Sequence, residues 1–332
     1  MWDGLPRILV CPTCHGPLDW HGPAPTEHRI REGKARCSAC RTDFPVHAGI
    51  GAFLPSPPGP EDLWESVDRE TAEFLAADPG RARRLLDEPF DRLGPTDLLV
   101  RAMVHDAHGD FGAAKAAADR AEEGLYTPEY LAASRGQMRH LQERLEGRPG
   151  PVVDLASGRG SLLEFLLPGS PREWIGTDLS TRVLLRDRRY FDFLGLGSRL
   201  SLLAFDARRT PFADRSVPTL VTNLGLANIA DPGTLLHELR RVVSGELLAI
   251  TLFYPDREGP NAEEIRRLKL DPLLYRDSAL RAFEAAGFSV EVSHPVRATA
   301  RPTPPGVLLP EVRPDRLPVV ETPLEWCTLV AT

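Results

Sequence analysis

Four cysteines near the start of the chain stand in two close pairs. Cys11 and Cys14 form one Cys-x-x-Cys pair, and Cys37 and Cys40 form the second, with 22 residues between the pairs. Each pair can present two thiolates to one ion, and four thiolates complete the tetrahedral shell that suits Zn²⁺. A closed shell leaves no position for substrate, so the sequence predicts a structural zinc site. The alternative is four free buried thiols. It is less favoured because so short a segment cannot build a hydrophobic core of its own and needs another source of stability.

A second set of residues has the pattern of a ligand-binding turn. Residues 152–161 are predicted to form a strand, a turn and the start of a helix, and Gly158 and Gly160 let a ligand approach the backbone. The Gly-x-Gly-x-x-Gly pattern of dinucleotide sites is not met, because Leu163 takes the third glycine position. The turn therefore does not favour a nicotinamide cofactor.

The next predicted strands end in polar residues. The strand after the turn ends in Asp178, which can hold two ribose hydroxyls, and the next ends in Asp206, which can accept from an adenine amino group. The fourth ends near Asn223. Ligands of open α/β sheets bind at the carboxyl ends of the strands, so these residues should line one crevice. Asp178 could instead cap a helix, unless Ser180 does so, and Asp206 could be a turn residue.

Three segments must position these residues. Residues 1–55 are short apolar pieces that fit a zinc ribbon, and 56–147 combine a Pro-rich linker at 55–60 with a helical segment. Residues 148–332 alternate strands and helices, which implies a parallel sheet with helices on both faces. The last two strands lack a long helix between them, so we expect an antiparallel hairpin that closes the sheet. The predicted helices are 65–77, 97–105, 112–123, 131–145, 161–167, 180–194, 233–243 and 271–286; the predicted strands are 151–155, 173–177, 200–205, 217–223, 246–253, 288–292 and 326–331.

The cysteine segment resembles a known group of zinc ribbons. Residues 8–55 resemble the Trm112-like ribbons, in which Cys-Pro-x-Cys precedes a Phe-Pro-Val/Ile and Gly-Ile segment, here at 44–46 and 49–50. Such ribbons accompany methyltransferases, as subunits or as fused segments. The resemblance therefore suggests a methyl-transferring partner or domain, and it leaves open a protein partner that docks on the ribbon.

Residues 124–332 resemble the class I S-adenosylmethionine-dependent methyltransferases. The resemblance implies an α/β, seven-stranded Rossmann-like sheet that binds S-adenosylmethionine (SAM). The family often has Gly or Cys where Ala156 and Ser157 stand. One aromatic residue, Tyr126, could lie over the cofactor or be an ordinary half-buried ring. Carried over by position, the resemblance implies these cofactor-binding residues: Asp154, Ala156, Ser157, Gly158, Gly160, Asp178, Leu179, Asp206, Ala207, Asn223, Leu224 and Tyr126.

The methyl acceptor is less defined. Residues 231–242 resemble the helix of the small-molecule and quinone-type branch, which favours a small-molecule acceptor. Residues 124–130 instead resemble the Gly-x-Tyr-x-Pro segment of zinc-ribbon guanine methyltransferases that act on ribosomal RNA. A non-catalytic, partner-binding relative is a third interpretation. Many methyl transfers need only positioning, so no catalytic residue is named.

Bulk composition narrows the partners. The net charge of −7 over 332 residues argues against a nucleic-acid substrate, although five basic ribbon residues could contact phosphates or form a solvated face: Arg29, Arg31, Lys34, Arg36 and Arg41. No apolar run reaches the roughly 18 residues of a membrane span. The first residues lack the features of a signal peptide, and the cysteines suggest metal rather than disulfides, so we expect a cytoplasmic protein.

Overall fold

The computed structural model describes residues 1–54 and 63–332, so the predicted linker at 55–60 lies outside the described residues. The described strands form one sheet in the order β1-β2-β3-β4-β7-β6-β5-β8-β9-β11-β10. The strands are β1 (Leu18–His21), β2 (Gly33–Cys37), β3 (Asp43–His47), β4 (Ile50–Ala52), β5 (Val152–Asp154), β6 (Trp174–Asp178), β7 (Leu200–Ala204), β8 (Val217–Asn223), β9 (Val243–Phe253), β10 (Val290–Ala300) and β11 (Thr322–Ala331). The helices are α1 (Leu63–Ala77), α2 (Pro79–Asp87), α3 (Pro95–Ala107), α4 (Phe111–Leu125), α5 (Pro128–Leu145), α6 (Ser161–Leu166), α7 (Thr181–Phe193), α8 (Pro232–Val242), α9 (Gly259–Arg267), α10 (Asp271–Leu274) and α11 (Arg276–Ala285).

Seven of these strands, β7-β6-β5-β8-β9-β11-β10, form the predicted α/β sheet. The first five are parallel, and β11 is antiparallel to both of its neighbours. The parallel strands are buried on both faces because helices cover both sides, and this burial explains their continuous apolar runs. The Rossmann-like fold and the closing hairpin are therefore confirmed.

The sheet is longer than the predicted seven strands because the N-terminal ribbon continues it. Strand β4 pairs in parallel with β7, with Ile50 opposite Leu202 and Ala52 opposite Ala204. At Gly51 a methyl group would meet Leu203 Cδ2 at 2.9 Å, so a side chain there would displace the buried Leu203 side chain. An apolar β7 edge exposed to solvent would be a site for aggregation, and the ribbon covers it.

Three predicted elements differ in detail from the structure. The helix predicted at 271–286 is two helices, α10 and α11, because Tyr275 between them is extended and the Leu274 carbonyl accepts from Tyr254 N at 2.9 Å. Strands β10 and β11 are also longer than predicted. Their pairing continues through Ala298 opposite Leu324, where Arg297 and Thr299 interrupt the apolar pattern in the sequence.

The segment between β10 and β11, residues 301–321, is hereafter called the strap. Asp97 on α3 accepts hydrogen bonds from Val307 N at 2.7 Å and Leu309 N at 2.9 Å. Near its other end, Asn261 on α9 accepts from Val319 N at 2.7 Å and from Val320 N at 3.1 Å. Two buried side chains thus fix a Pro-rich segment that lacks regular structure. Among the described residues, no helix combines the length and apolarity needed to cross a membrane.

Candidate active site

The turn after β5 has an unusual backbone. Ala156, Gly158 and Gly160 all have positive φ, at 52°, 54° and 77°. The turn is fixed by hydrogen bonds from Ser157 N to the Thr177 carbonyl at 2.7 Å and from Gly160 N to the Ser157 carbonyl at 2.8 Å. Left-handed backbone costs a residue with a side chain about 1–2 kcal/mol, which Ala156 pays where a glycine would not. The tertiary contacts therefore hold this turn in one shape.

Asp178 joins that turn to the end of β6. Its Oδ2 accepts from Gly158 N at 3.0 Å, and its Oδ1 accepts from Ser180 N at 3.2 Å. Ser180 is the residue that caps α7, because its hydroxyl oxygen accepts from the first-turn amides of that helix. Ser180, and not Asp178, is therefore the cap of this helix, and Asp178 lies beside the turn. Leu179 follows it and is partly exposed.

Two fully buried acids, Asp154 and Asp187, lie behind the turn. Neither carboxylate oxygen of Asp154 has a hydrogen-bond partner among the described residues. Burial, and then repulsion from Asp187 and Asp178, raises the pKa of Asp154 well above its usual value. Burial also raises the pKa of Asp187 to about 7, although Arg186 pairs with it at 2.9 Å. A cation placed among these acids would be stabilised by them.

Asp187 was not predicted as a site residue. Its signal in the sequence is a single acid within an apolar helix stripe, since α7 also buries Val183, Leu184, Tyr190 and Phe191. An acid at such a position is rarely buried unless a charge compensates it. This pattern could have marked Asp187 for attention.

The ends of β7 and β8 contribute the remaining predicted residues. The Asp206 carboxylate is held by Arg208, which donates from its backbone N at 2.9 Å and from Nη2 at 2.8 Å. Burial opposes ionisation of Asp206, yet the Arg208 hydrogen bonds keep its pKa below the usual value. Asp206 thus has the contacts of a turn residue, and Ala207 beside it is partly exposed.

At the end of β8, Leu224 has a left-handed backbone with φ of 58°, and its N donates to the Ile250 carbonyl at 3.0 Å. The side-chain oxygen of Asn223 is buried, with no hydrogen-bond partner among residues 1–54 and 63–332. Strands β7, β6, β5 and β8 are consecutive in the sheet. Their carboxyl ends therefore bring Asp154, Asp178, Asp206 and Asn223 to one edge of the sheet, which is called here the crevice.

Helix α1 covers this crevice, which the sequence did not predict. A methyl group on Gly158 would lie 2.6 Å from Trp64 Nε1, and the Arg159 guanidinium lies 5.1 Å from the centre of the Trp64 ring. Glu65 accepts from the Ser180 hydroxyl. Arg159 also pairs with Asp106 on α3 at 2.8 Å. The first turn of α1 is thus fixed to both sides of the turn after β5.

Tyr126 has other contacts than those predicted for it. Its ring stacks on Tyr130 with the centroids 5.0 Å apart, and its hydroxyl donates to Asp315 Oδ2 at 3.1 Å. Trp64 is the aromatic residue that lies against Gly158. A contact between Tyr126 and a cofactor remains a prediction.

The four ribbon cysteines come together. Their Sγ atoms all lie within 4.8 Å of one another, with Cys11 and Cys40 3.6 Å apart and Cys14 and Cys37 3.5 Å apart. Thiolates bound tetrahedrally to Zn²⁺ at about 2.3 Å lie about 3.8 Å apart, so the arrangement fits this ion. A methyl group at Gly16 would lie 3.2 Å from Cys37 Sγ, so glycine lets the chain pass close to the cysteine cluster.

Several ribbon cations are paired with acids. Arg29 bridges to Glu173 at 2.8 Å, and Lys34 and Arg36 both approach Asp43, at 3.5 and 3.6 Å. Arg29 therefore attaches the ribbon to the start of β6. Among the described contacts, none favours the phosphate-binding interpretation of this face.

Part of the chain is similar to a known protein family. Residues 152–245 match the family described as methyltransferase domain. This stretch contains the turn after β5, Asp178, Asp206 and Asn223. Residues 152–245 are therefore similar to a methyltransferase domain.

Relatives of this domain include two proteins named demethylmenaquinone methyltransferase. The one from Thermotoga maritima is 32% identical over 116 residues, which cover 34% of this chain and 48% of the relative. The one from Bacteroides fragilis is 29% identical over 113 residues, which cover 33% and 46%. The chain therefore spans about half the length of the curated relatives it matches. A SAM-dependent methyltransferase structure from Aquifex aeolicus aligns with 59% of this chain and 92% of its own, at 17% identity and a TM-score of 0.42.

Proposed function

We propose that the protein is a SAM-dependent methyltransferase that acts on a small molecule. The observation that carries this proposal is Asp154, a buried carboxylate whose two oxygens have no hydrogen-bond partner among the described residues. A buried acid without a partner is costly, so it calls for a cationic ligand. SAM carries an ammonium and a sulfonium group, and the latter supplies the methyl group when the cofactor is bound.

The chain's own residues have distinct roles in this proposal. Asp154 and Asp187 attract the positive end of the cofactor, and Asp178 accepts hydrogen bonds from the ribose hydroxyls. The partly exposed apolar side chains of Leu179, Ala207 and Leu224 would hold the adenine ring. Helix α1, with Trp64 on Gly158, excludes water from the crevice. Positioning and exclusion of water are sufficient for many methyl transfers.

A small-molecule acceptor is the substrate class that the relatives support, since the names of both refer to demethylmenaquinone. The acidic balance of the chain and the paired ribbon cations are consistent with it. The ribbon cysteines are proposed to hold one structural Zn²⁺, because their spacing completes a four-thiolate shell.

Calorimetric titration of SAM and S-adenosylhomocysteine into the zinc-loaded chain tests the proposal. Asp178→Asn removes the charge and leaves one oxygen for either Gly158 N or Ser180 N, with its NH₂ group facing the other, so denaturant unfolding must first show that the variant folds. We expect wild type to bind and Asp178→Asn to bind at least about tenfold more weakly. Asp119→Asn, an exposed acid on α4, is the matched control and should bind like wild type. Folded, zinc-loaded wild type that binds neither ligand would reject the enzyme and favour a non-catalytic relative.

A further inference from the structure

Four aromatic residues gather beside the crevice and are called here the aromatic cluster: Tyr126, Tyr130, Tyr254 and Trp326. Tyr130 stacks on Tyr126 and meets Trp326 edge-to-face, with 5.0 Å between the ring centres in both pairs. Tyr254 and Trp326 are buried, whereas Tyr126 and Tyr130 are partly exposed. The cluster therefore has a buried base and an accessible side.

The cluster lies at the same edge of the sheet as the cofactor crevice. Tyr254 directly follows β9, and Trp326 on β11 lies opposite Leu252 near the end of β9. Strand β9 is the neighbour of β8, whose end carries Leu224. A ligand on the cluster would therefore stand next to the β8 end of the crevice, on the side away from β7.

The strap places a carboxylate on this cluster. Asp315 accepts from the Tyr126 hydroxyl at 3.1 Å and from the Thr303 hydroxyl at 3.3 Å, both through Oδ2. Burial raises the pKa of Asp315, and burial, with a smaller contribution from the Asp315 charge, raises the pKa values of Tyr130 and Tyr254. Asp315 is still partly exposed. Because Asp97 and Asn261 fix the strap on both sides of it, the carboxylate is held in place.

The cluster also contains a donor with no acceptor. Trp326 is 1% exposed, and its Nε1 has no hydrogen-bond partner among the described residues. A buried N–H group without a partner costs about 1–3 kcal/mol. An oxygen-bearing ligand could satisfy it, whereas an ammonium ion could not, because an ammonium only donates. A ligand that suits both Trp326 and Asp315 must accept one hydrogen bond and donate another.

We propose that the aromatic cluster and Asp315 form the acceptor site and select a hydroxylated aromatic compound. The ring of the acceptor packs on Tyr126 and Tyr130, its hydroxyl donates to Asp315, and an oxygen of the same compound accepts from Trp326 Nε1. A phenolic compound has both functions on one flat ring. This assignment rests on the proposed methyltransferase function and adds a specificity residue, Asp315, to it.

Binding of three probes with one ring system tests the assignment without any turnover. The probes are 1-naphthol, naphthalene and 1-naphthylmethylamine, titrated into the zinc-loaded full chain and followed by probe fluorescence. We expect 1-naphthol to bind wild type about tenfold to a hundredfold more tightly than naphthalene, as a hydrogen bond to a charged group implies. Tighter binding of the cationic amine than of 1-naphthol would overturn the choice of a hydroxylated acceptor.

Variants then assign the preference to Asp315. Asp315→Asn should reduce the advantage of 1-naphthol over naphthalene to less than about threefold and leave naphthalene binding unchanged. Glu311→Gln, an exposed acid on the same strap, should retain the full advantage. Tyr126→Phe keeps the ring but removes a hydroxyl that orients Asp315, so it should reduce the advantage partly, and it tests the idea if Asp315→Asn does not fold. If Asp315→Asn still binds 1-naphthol over naphthalene as strongly as wild type does, the assignment is overturned. If Asp315→Asn does not fold, the same result in a folded Tyr126→Phe overturns it.

Titrating SAM into the same samples separates the two proposals. If SAM binds but the hydroxyl preference is absent from wild type, the acceptor assignment fails alone. If no sample binds SAM, the proposed function fails instead, whatever the probes show.

Discussion

The indole of Trp64 lies directly against the backbone of Gly158, so that a methyl group on Gly158 would be 2.6 Å from Trp64 Nε1. This contact joins the first turn of α1 to the turn after β5. The contact also explains why glycine is needed at 158 beyond its positive φ of 54°. Helix α1 is thereby part of the crevice and not only a connection from the ribbon.

Gly158→Ala should displace α1 from the crevice. We expect it to destabilise the fold by more than the roughly 1–2 kcal/mol of left-handed backbone strain, and to weaken SAM binding. Denaturant unfolding and calorimetry measure the two effects. Gly169→Ala is the matched control, because Gly169 has a φ of 83° but no atom within 4 Å of an added methyl group. Equal losses of stability in Gly158→Ala and Gly169→Ala would show that the Trp64 contact contributes nothing. In a background that carries Trp64→Ala, Gly158→Ala should cost about as much stability as the control.

Asp187 should make the protein less stable as the pH rises. Its pKa rises from 3.8 in the unfolded chain to about 7 in the fold, so the folded state holds its proton more tightly. The stability from the neutral acid is complete below about pH 4 and is lost as the pH rises through about 7. One pKa unit corresponds to about 1.4 kcal/mol, so the loss at pH 8 could reach roughly 4 kcal/mol.

The substitution Asp187→Asn tests this effect. The amide keeps an oxygen for Arg186 and cannot ionise, so the variant should match wild type near pH 4 and be more stable at pH 8. It should also bind SAM less tightly, because a charge that attracts the cofactor is gone. Denaturant unfolding from pH 4 to pH 8 is the measurement, with the exposed Asp192→Asn on the same helix as control. Parallel profiles for wild type and Asp187→Asn would contradict the assignment.

Removing zinc should destabilise the whole sheet and not the ribbon alone. Phe44 and Phe53 of the ribbon lie in one core with Leu203 and Phe205 of the sheet, and β4 covers the β7 edge. Since metal binding is part of the folding free energy, Cys37→Ser should lower the melting temperature by at least about 5 °C. It should also speed amide exchange in β7.

Cys327→Ala is the control for that substitution, because Cys327 is buried but far from the four-cysteine cluster in the chain. It should keep one zinc per chain by atomic absorption. If Cys37→Ser showed a separate early transition and unchanged exchange in β7, the ribbon would be an independent unit.

Asp97 should be among the most sensitive positions outside the crevice. Its two oxygens accept from the backbone N–H groups of Gly94, Val307, Leu308 and Leu309. In Asp97→Asn an amide NH₂ would face these donors, so we expect a loss of about 3 kcal/mol or more and faster proteolysis of the strap. The exposed Asp91→Asn provides the comparison. A strap that stays protected in Asp97→Asn would show that its apolar contacts, such as Leu309, hold it alone.

The sequence by itself determined the parallel strands of the α/β sheet and the turn that follows the first of them. Strand and helix periodicity predicted β5 to β9 within a few residues, since each buried parallel strand must be continuously apolar. Asp178 and the Gly158 turn could be predicted because both depend on a local strand-turn-helix arrangement. The cysteine spacing likewise predicted the Sγ cluster, since each pair needs only a short turn.

Only the tertiary structure decided which elements meet across long stretches of chain. The pairing of β4 with β7, the position of Trp64 on Gly158 and the approach of Asp315 to Tyr126 each join residues more than 90 positions apart. Such contacts leave no local periodicity in the sequence, because either partner alone has an ordinary type and spacing. Their energy comes from the shape and burial that the assembled sheet provides. The proposed acceptor side of the site therefore could be inferred only from the fold.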